Sequence, residues 1–493
     1  MPDTRFFGHP RGLSTLFFTE MWERFSYYGM RALLILFMTA PVADGGLGFD
    51  TARAGAVYGL YTAMVYLTTL PGGWIADTFI GAQRAVLYGG LLITAGHFSM
   101  AIPSLTAFYV GLLLIVLGTG LLKGNVSVIV GRLYAPDDER RDAGYSIFYM
   151  GINLGSFLSP LVCGYLGQRI SWHVGFASAG VGMLFGVVQF ALGRRHLGSA
   201  GLTPGRSDAT PDGIRARRRG RQALTAAGVI SAAVALALVT GWLRPDVTLV
   251  ADIAGYLLLG ITVVFFAWLY LFSTGWTPGE RRRLYLIGVL FLAAALFWSE
   301  FEQAGSTLNL FAERSTDNRA FGLDFPSSWF QSANAIFIIV FAPVFAWMWV
   351  RLAQRRLEPS SVTKFAVGLV FVGAGFATLI VPAALADTGV RVSPWWLTLT
   401  YLLHTWGELA LSPVGLSAMS TLAPARIGGL VMGVWFLASS VGNYIGGRLA
   451  AFYEAMPLPR LFGAVAAFGI GAGLLMFLLA RPMARRAQGN DGA

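Results

Sequence analysis

Charge is scarce in this chain and cysteine almost absent. Only 12% of its 493 residues are Asp, Glu, Lys or Arg, while 55% are hydrophobic. An average soluble domain carries about 25% charged residues. Too little polar surface remains to cover a water-soluble body of this length, which excludes a soluble multidomain enzyme. A single cysteine, Cys163, excludes an intrachain disulfide and a multi-cysteine metal site. No H-E-x-x-H, G-x-S-x-G or C-x-x-C occurs, so the usual zinc, hydrolase and redox signatures are missing. The five histidines (His9, His97, His173, His196, His404) have no metal-ligand spacing, and His173 and His404 read as structural or interfacial. No metal site and no cofactor is expected. What the chain does have is glycine, 61 residues of it, in the excess that suits closely packed membrane helices. It reads as an all-α polytopic membrane protein whose partner throughout is the lipid bilayer.

A helix needs about 20 mostly apolar residues to cross the hydrocarbon. That ruler gives fourteen transmembrane helices: 14–38, 53–76, 84–102, 105–131, 143–167, 173–193, 222–243, 248–273, 284–311, 326–350, 362–386, 394–420, 428–450 and 458–480. The first carries Glu20, Glu23 and Arg24, which a cleavable signal peptide would not. With the N-terminus inside, inner segments hold 25 Lys and Arg and outer loops seven, with four more inside helices. This bias predicts that both termini are cytoplasmic. It also accounts for the net charge of +11 and for the basic run Arg215–Arg221, so no nucleic-acid partner is expected.

A charge at the centre of a span costs roughly 2.5–3.5 kcal/mol on insertion scales, so such residues need partners or a polar cavity. In the first span Glu20, Glu23, Arg24, Tyr27, Tyr28 and Arg31 fall within about 140° of the helix circumference. A local Glu20–Arg24 pair is the simpler reading, but it leaves Glu23 and Arg31 unexplained. Further along stand Lys123, Glu300, Glu302 and Glu408, with the neutral Asn153 and Asn334 and the aromatics Tyr66, Tyr149, Trp298 and Trp435. Both signs of charge, spread over both halves of the chain, suit a central solute cavity. Gly118-Thr-Gly120-Leu-Leu-Lys123-Gly124 lacks the order of a phosphate loop, and small-residue helix packing beside Lys123 explains it better.

Glu20-Met-Trp-Glu23-Arg24-Phe25-Ser-Tyr27-Tyr28-Gly29 resembles the E-x-x-E-R-F-x-Y-Y-G motif of the proton-dependent oligopeptide transporter (POT, or PTR) family of the major facilitator superfamily. Phe148-Tyr149-Met-Gly-Ile-Asn153-Leu-Gly155-Ser156 is similar to that family's F-Y-x-x-I-N-x-G-S signature. Gly72–Arg84 resembles the superfamily's loop between helices 2 and 3. Segments around Trp298–Gln303, Gly407–Gly415 and Gly433–Phe436 are also similar to family segments. The resemblance implies a major facilitator fold of two six-helix bundles, 1–195 and 281–493, with a two-helix insertion and its basic linkers at 196–280. It implies symport of di- and tripeptides with protons as the coupling ion, in a bacterial cytoplasmic (inner) membrane, with no oligomer required. By motif position Arg31 and Lys123 would hold the peptide carboxylate, and Glu408, Asn153 and Asn334 its amine. Tyr27, Tyr28, Tyr66, Trp298, Trp435 and Ser412 would line side-chain pockets. Glu20, Glu23 and Arg24 would couple proton movement with Lys123, and Glu302 with Arg31. Gly124 and Ala335 stand where the family commonly has Pro, which loosens the backbone there. Other small solutes are the rival cargo within the family. A channel or receptor would not need charges in both halves, and an intramembrane enzyme fits least.

Overall fold

The computed structural model describes residues 6–135, 137–204, 246–424 and 427–488, with isolated positions between 214 and 242. Its main helices are α1 (Arg11–Thr39), α2 (Thr51–Leu67), α3 (Thr69–Ile75), α4 (Ala82–Met100), α5 (Leu105–Arg132) and α6 (Arg141–Ser159). Then come α7 (Tyr165–Arg169), α8 (Trp172–Gly193), α9 (Val247–Ala267), α10 (Pro278–Phe301), α11 (Thr307–Arg314) and α12 (Gln331–Gln354). The last are α13 (Ser361–Ala377), α14 (Ile380–Ala386), α15 (Trp395–Leu422), α16 (Gly428–Leu449) and α17 (Leu458–Gln488). Thirteen of the fourteen expected spans are helical here, and the other, 222–243, lies largely outside the described residues. Nine helical segments among the described residues are long and apolar enough to cross a membrane. α1, with its stripe of charges, is not one of them.

Local chemistry sets the ends. α10 opens with a capping box: Thr277 accepts from the Glu280 amide, Glu280 accepts from the Thr277 amide, and Pro278 occupies the first turn. The polar break at 314–325 is a small hairpin in which Arg319–Ala320 pairs with Leu323–Asp324. Phe321 and Gly322 take φ of 51° and 77°, the left-handed pair a two-residue hairpin requires.

The chain divides into two compact units. The first comprises 1–23, 67–152 and 180–253. Its core joins Leu13 and Leu16 of α1 to Val86 and Ile93 of α4, Leu122 and Ile129 of α5 and Met183 and Phe190 of α8. α4 and α5 touch backbone to backbone: a Cβ on Gly89 would come within 2.5 Å of the Gly118 carbonyl, and one on Gly96 within 2.7 Å of the Gly111 carbonyl. Both pairs are seven residues apart, two turns of helix, so one seam stays closed along its length. Beside this core His9 Nδ1 lies 2.9 Å from the Tyr134 hydroxyl, and burial pushes that phenol up to about 12. Arg140 donates to Asp138 at 2.7 and 3.0 Å and holds its carboxyl down at about 2.

The second unit comprises 24–66, 153–179 and 254–493. α10 packs against α13, α15, α16 and α17, and α13 lies between α15 and α17. α1 runs through both units, its first half in one and its second half in the other.

Candidate functional site

The second half of α1 delivers Arg31 to a buried cluster. Its Nη2 lies 2.7 Å from Glu302 Oε2, and its Nε donates to the Tyr58 hydroxyl at 2.7 Å. The guanidinium also lies over the Tyr28 ring, 5.7 Å from its centroid, and Tyr27 packs edge-on against Tyr28. Glu302 reaches this cluster because α10 stops at Phe301 and tightens into the 3-10 turn Glu302–Gly305 before α11 resumes. Such a mid-span change of helix type frees backbone groups that must be satisfied elsewhere. Here Gln331 of α12 and Tyr401 of α15 both donate to the Ala304 carbonyl, and Gln331 Nε2 donates to the Tyr401 hydroxyl at 3.0 Å. Gly305 lies flat against the cluster, where any Cβ would strike the Tyr58 hydroxyl and crowd Arg31 Nε at 2.8 Å. Asn309 of α11 donates to the Ala32 carbonyl at 2.8 Å, which fixes α11 beside α1.

A second polar pair sits where α12 meets α15. Asn334 Nδ2 donates to Glu408 Oε2 at 2.9 Å and to Thr405 Oγ1 at 3.0 Å. The Tyr28 phenol lies within electrostatic reach of Arg24, Arg31, Glu302 and Glu408, so the two pairs face a common region. Tyr28, Tyr66, Asn153, Trp298, Asn334, Glu408 and Ser412 are each only partly buried, although all lie on helices of the second unit. Trp298 stands one turn before Glu302, and its buried indole N–H meets no hydrogen-bond acceptor among the described residues. Trp435 packs closely against Gly415 of α15, three residues beyond Ser412.

Of the remaining expected residues, Arg24 is buried on α1 at the start of the second unit, and Glu20, Glu23 and Lys123 belong to the first. Glu20 and Glu23 are buried on α1, and Lys123 is half-buried on α5 beside Gly124, at which a Cβ would meet nothing. Tyr149 lies within electrostatic reach of Glu20. Glu300 and Glu302, alike in the sequence, part company in space. Glu300 is 1% exposed, faces Gly469 of α17, and neither carboxyl oxygen has a hydrogen-bond partner among the described residues. His404 packs against Phe376 and beneath Gly375, as a structural histidine would. Among the described residues no group of His, Cys, Asp and Glu could hold a metal ion.

Sequence reasoning missed Tyr58, Gln331, Tyr401 and Thr405. The signal for Tyr58 was present, since Tyr58, Thr62 and Tyr66 recur at i, i+4 and i+8 along one face of α2. It also missed a hydrogen-bonded cluster away from the ion pair. There Gln168 donates to Glu313 and to Ser327 at 2.9 Å each, Ser327 donates to Glu313 at 2.5 Å, and the Ser328 amide donates to Gln168 at 3.0 Å.

The sequence profile of the POT family matches residues 83–468. The chain belongs to the POT family. It is 42% identical to the peptide transporter YePEPT of Yersinia enterocolitica over 99% of this chain and 97% of that one. It is 38% identical to a di-/tripeptide transporter of Lactococcus lactis over 97% of this chain and 96% of the relative. A crystal structure of a peptide transporter of the family in complex with sulfate superimposes with a TM-score of 0.91 at 44% identity, covering 99% of this chain and 98% of that one. This POT member therefore has the major facilitator fold and is a membrane transporter rather than an enzyme.

Proposed function

We propose that this POT member imports di- and tripeptides together with protons by alternating access. The observation that carries the reading is the Arg31–Glu302 ion pair, buried within the spans and tied to Tyr58. An ion pair in low dielectric persists only while both partners are charged, because a lone buried charge is costly. Protonation of Glu302 frees the Arg31 guanidinium for a peptide carboxylate, and loss of the proton restores the pair. Glu408, held by Asn334, supplies the negative end for the peptide amine, with Asn153 nearby in the motif pattern. Two residues of backbone span at most roughly 7 Å, so cations on one wall and an acid on the other can grip both ends of a short peptide and leave its side chains free. Lys123, with Glu20, Glu23 and Arg24, forms the second coupling set. Tyr27, Tyr28, Tyr66, Trp298, Trp435 and Ser412 line the space for side chains. One charge moving through 100 mV yields about 2.3 kcal/mol, enough for roughly 50-fold accumulation of a zwitterion per proton.

The deciding experiment uses purified protein in proteoliposomes. Glu302→Gln mimics the protonated acid, so it should lose pH-gradient-driven dipeptide accumulation and keep peptide-for-peptide exchange. Undiminished gradient-driven uptake by folded Glu302→Gln protein would overturn this proton site. Glu408→Gln should weaken peptides with a free amine far more than N-acylated ones, and equal losses would remove Glu408 from the amine site.

The 1–195 and 281–493 bundles are the two moving halves in this reading, with 196–280 inserted between them. Both termini face the cytoplasm of a bacterial inner membrane. The natural Cys163 is buried, so a cysteine introduced at Ser207 reports topology with little background. It should resist impermeant labelling in intact cells.

A further inference from the structure

A groove of about 670 Å³ runs along the outside of the first unit, between the start of α1 and the end of α8. Its floor is the helix seam. A Cβ on Gly193 would come within 2.5 Å of Thr15, and one on Gly186 within 2.9 Å of Trp22 Cβ, so the two helices touch at both levels. The Thr19 hydroxyl lies 2.6 Å from the Thr15 carbonyl and 3.2 Å from Gln189 Oε1, so its one proton finds an acceptor inside the seam. The walls are sorted by height. Arg11, Arg195 and His196 stand at one end, and Phe18, Trp22, Phe185 and Val188 at the other, with Leu192 between. Among the described residues, no acidic side chain lines the groove. Phe185 is 56% exposed and Leu192 72% exposed, and Trp22 stacks obliquely on Phe185 at 5.5 Å.

The dimensions identify the occupant. From Arg11 to Trp22 is eleven residues and from Phe185 to Arg195 ten, each about 15–16 Å of helix. The hydrocarbon core is about 30 Å thick, so the groove is one leaflet deep. A soluble anion matches only its charged end, and a membrane protein partner would not need paired arginines at headgroup height. We propose that this groove is a binding site for an anionic phospholipid. Arg11 and Arg195 hold the headgroup phosphate, and an acyl chain lies along Leu192, Val188 and Phe185 to end against Trp22. Under the orientation proposed above, the charged end meets the cytoplasmic leaflet. The site itself does not depend on that orientation.

The test reads Trp22 fluorescence, taken as the difference between the wild-type chain and Trp22→Phe, in nanodiscs that offer lipid from both leaflets. The probes are phosphatidylglycerol and phosphatidylethanolamine of the same chain length, each brominated at the acyl chain. Two arginines near the headgroups should give the anionic lipid about a thirtyfold lower half-quenching fraction. Arg11→Gln/Arg195→Gln should erase that preference, and millimolar inorganic phosphate should leave it intact. Equal quenching by the two lipids in the wild-type chain would mean annular contact only and overturn the proposal. A preference that survives the double substitution would overturn it, and so would displacement by inorganic phosphate, which would indicate a site for the free ion. The wild-type comparison decides the matter even if the double variant does not fold.

Discussion

Two acids two residues apart, Glu300 in the last turn of α10 and Glu302 just beyond it, live in opposite surroundings. Glu302 meets Arg31, which in turn meets Tyr58, at the point where the helix tightens into a 3-10 turn. Glu300 lies in a close-packed seam against Gly469 of α17, without a hydrogen-bond partner among the described residues. Two residues on a helix are about 200° apart, so neighbours in sequence face different sides. A carboxyl beside a guanidinium is held as an ion pair. One packed in an apolar seam lacks that counter-charge. Identity of side chain therefore says little about role inside a membrane, and the partner decides it.

Four substitutions sharpen or break that contrast. Arg31→Ala should have the largest effect, about 3–5 kcal/mol of stability, because it strands Glu302 as an unpaired buried charge. Thermal unfolding in detergent measures the loss, and adding Glu302→Gln should restore most of the stability but not peptide binding. Next, Gly469→Val drives a side chain into Glu300 and should cost about 1–3 kcal/mol by overpacking. Combining it with Glu300→Ala should recover part of that loss, because the two sites touch. Asn334→Ala removes the hydrogen bond to Glu408, worth about 1.5 kcal/mol, and should weaken peptides with a free amine roughly tenfold. Glu300→Met should be the mildest, within about 1 kcal/mol, because an apolar side chain of similar size replaces a carboxyl with no hydrogen-bond partner among the described residues. Gradient-driven uptake by Glu300→Met should match the wild-type chain. If Glu300→Gln instead loses driven uptake while keeping exchange, the two acids share a role and the contrast fails.

The spans were legible because hydropathy over 20 residues is a strong signal, and thirteen of fourteen match helices in the described residues. The polar stripe of α1 was legible too, because charges in an apolar run have few innocent explanations. Arg31, Glu302, Asn334 and Glu408 were legible as polar groups inside apolar spans, their roles came only with the resemblance, and the structure pairs Arg31 with Glu302 and Asn334 with Glu408. Tyr58 escaped because a tyrosine in a span reads equally as an interfacial anchor. Gln331 and Tyr401 escaped for a different reason. Their partner is the Ala304 carbonyl, and a backbone acceptor leaves no mark in the side-chain pattern. Glu300 was grouped with Glu302 because a list of charges carries no direction.

The Gln168 cluster should bias a resting population. Three hydrogen bonds join Gln168 at the end of α7 to Glu313, Ser327 and Ser328. At about 1 kcal/mol each they contribute about 3 kcal/mol to holding those segments together, beside the Arg169–Asp324 ion pair and the Trp329 indole donating to the Leu161 carbonyl. Gln168→Ala removes all three at once and should raise the fraction of molecules with those segments parted by up to about a hundredfold. Distance distributions between spin labels on α7 and on the 319–324 hairpin would count the two populations directly, in the absence of any peptide.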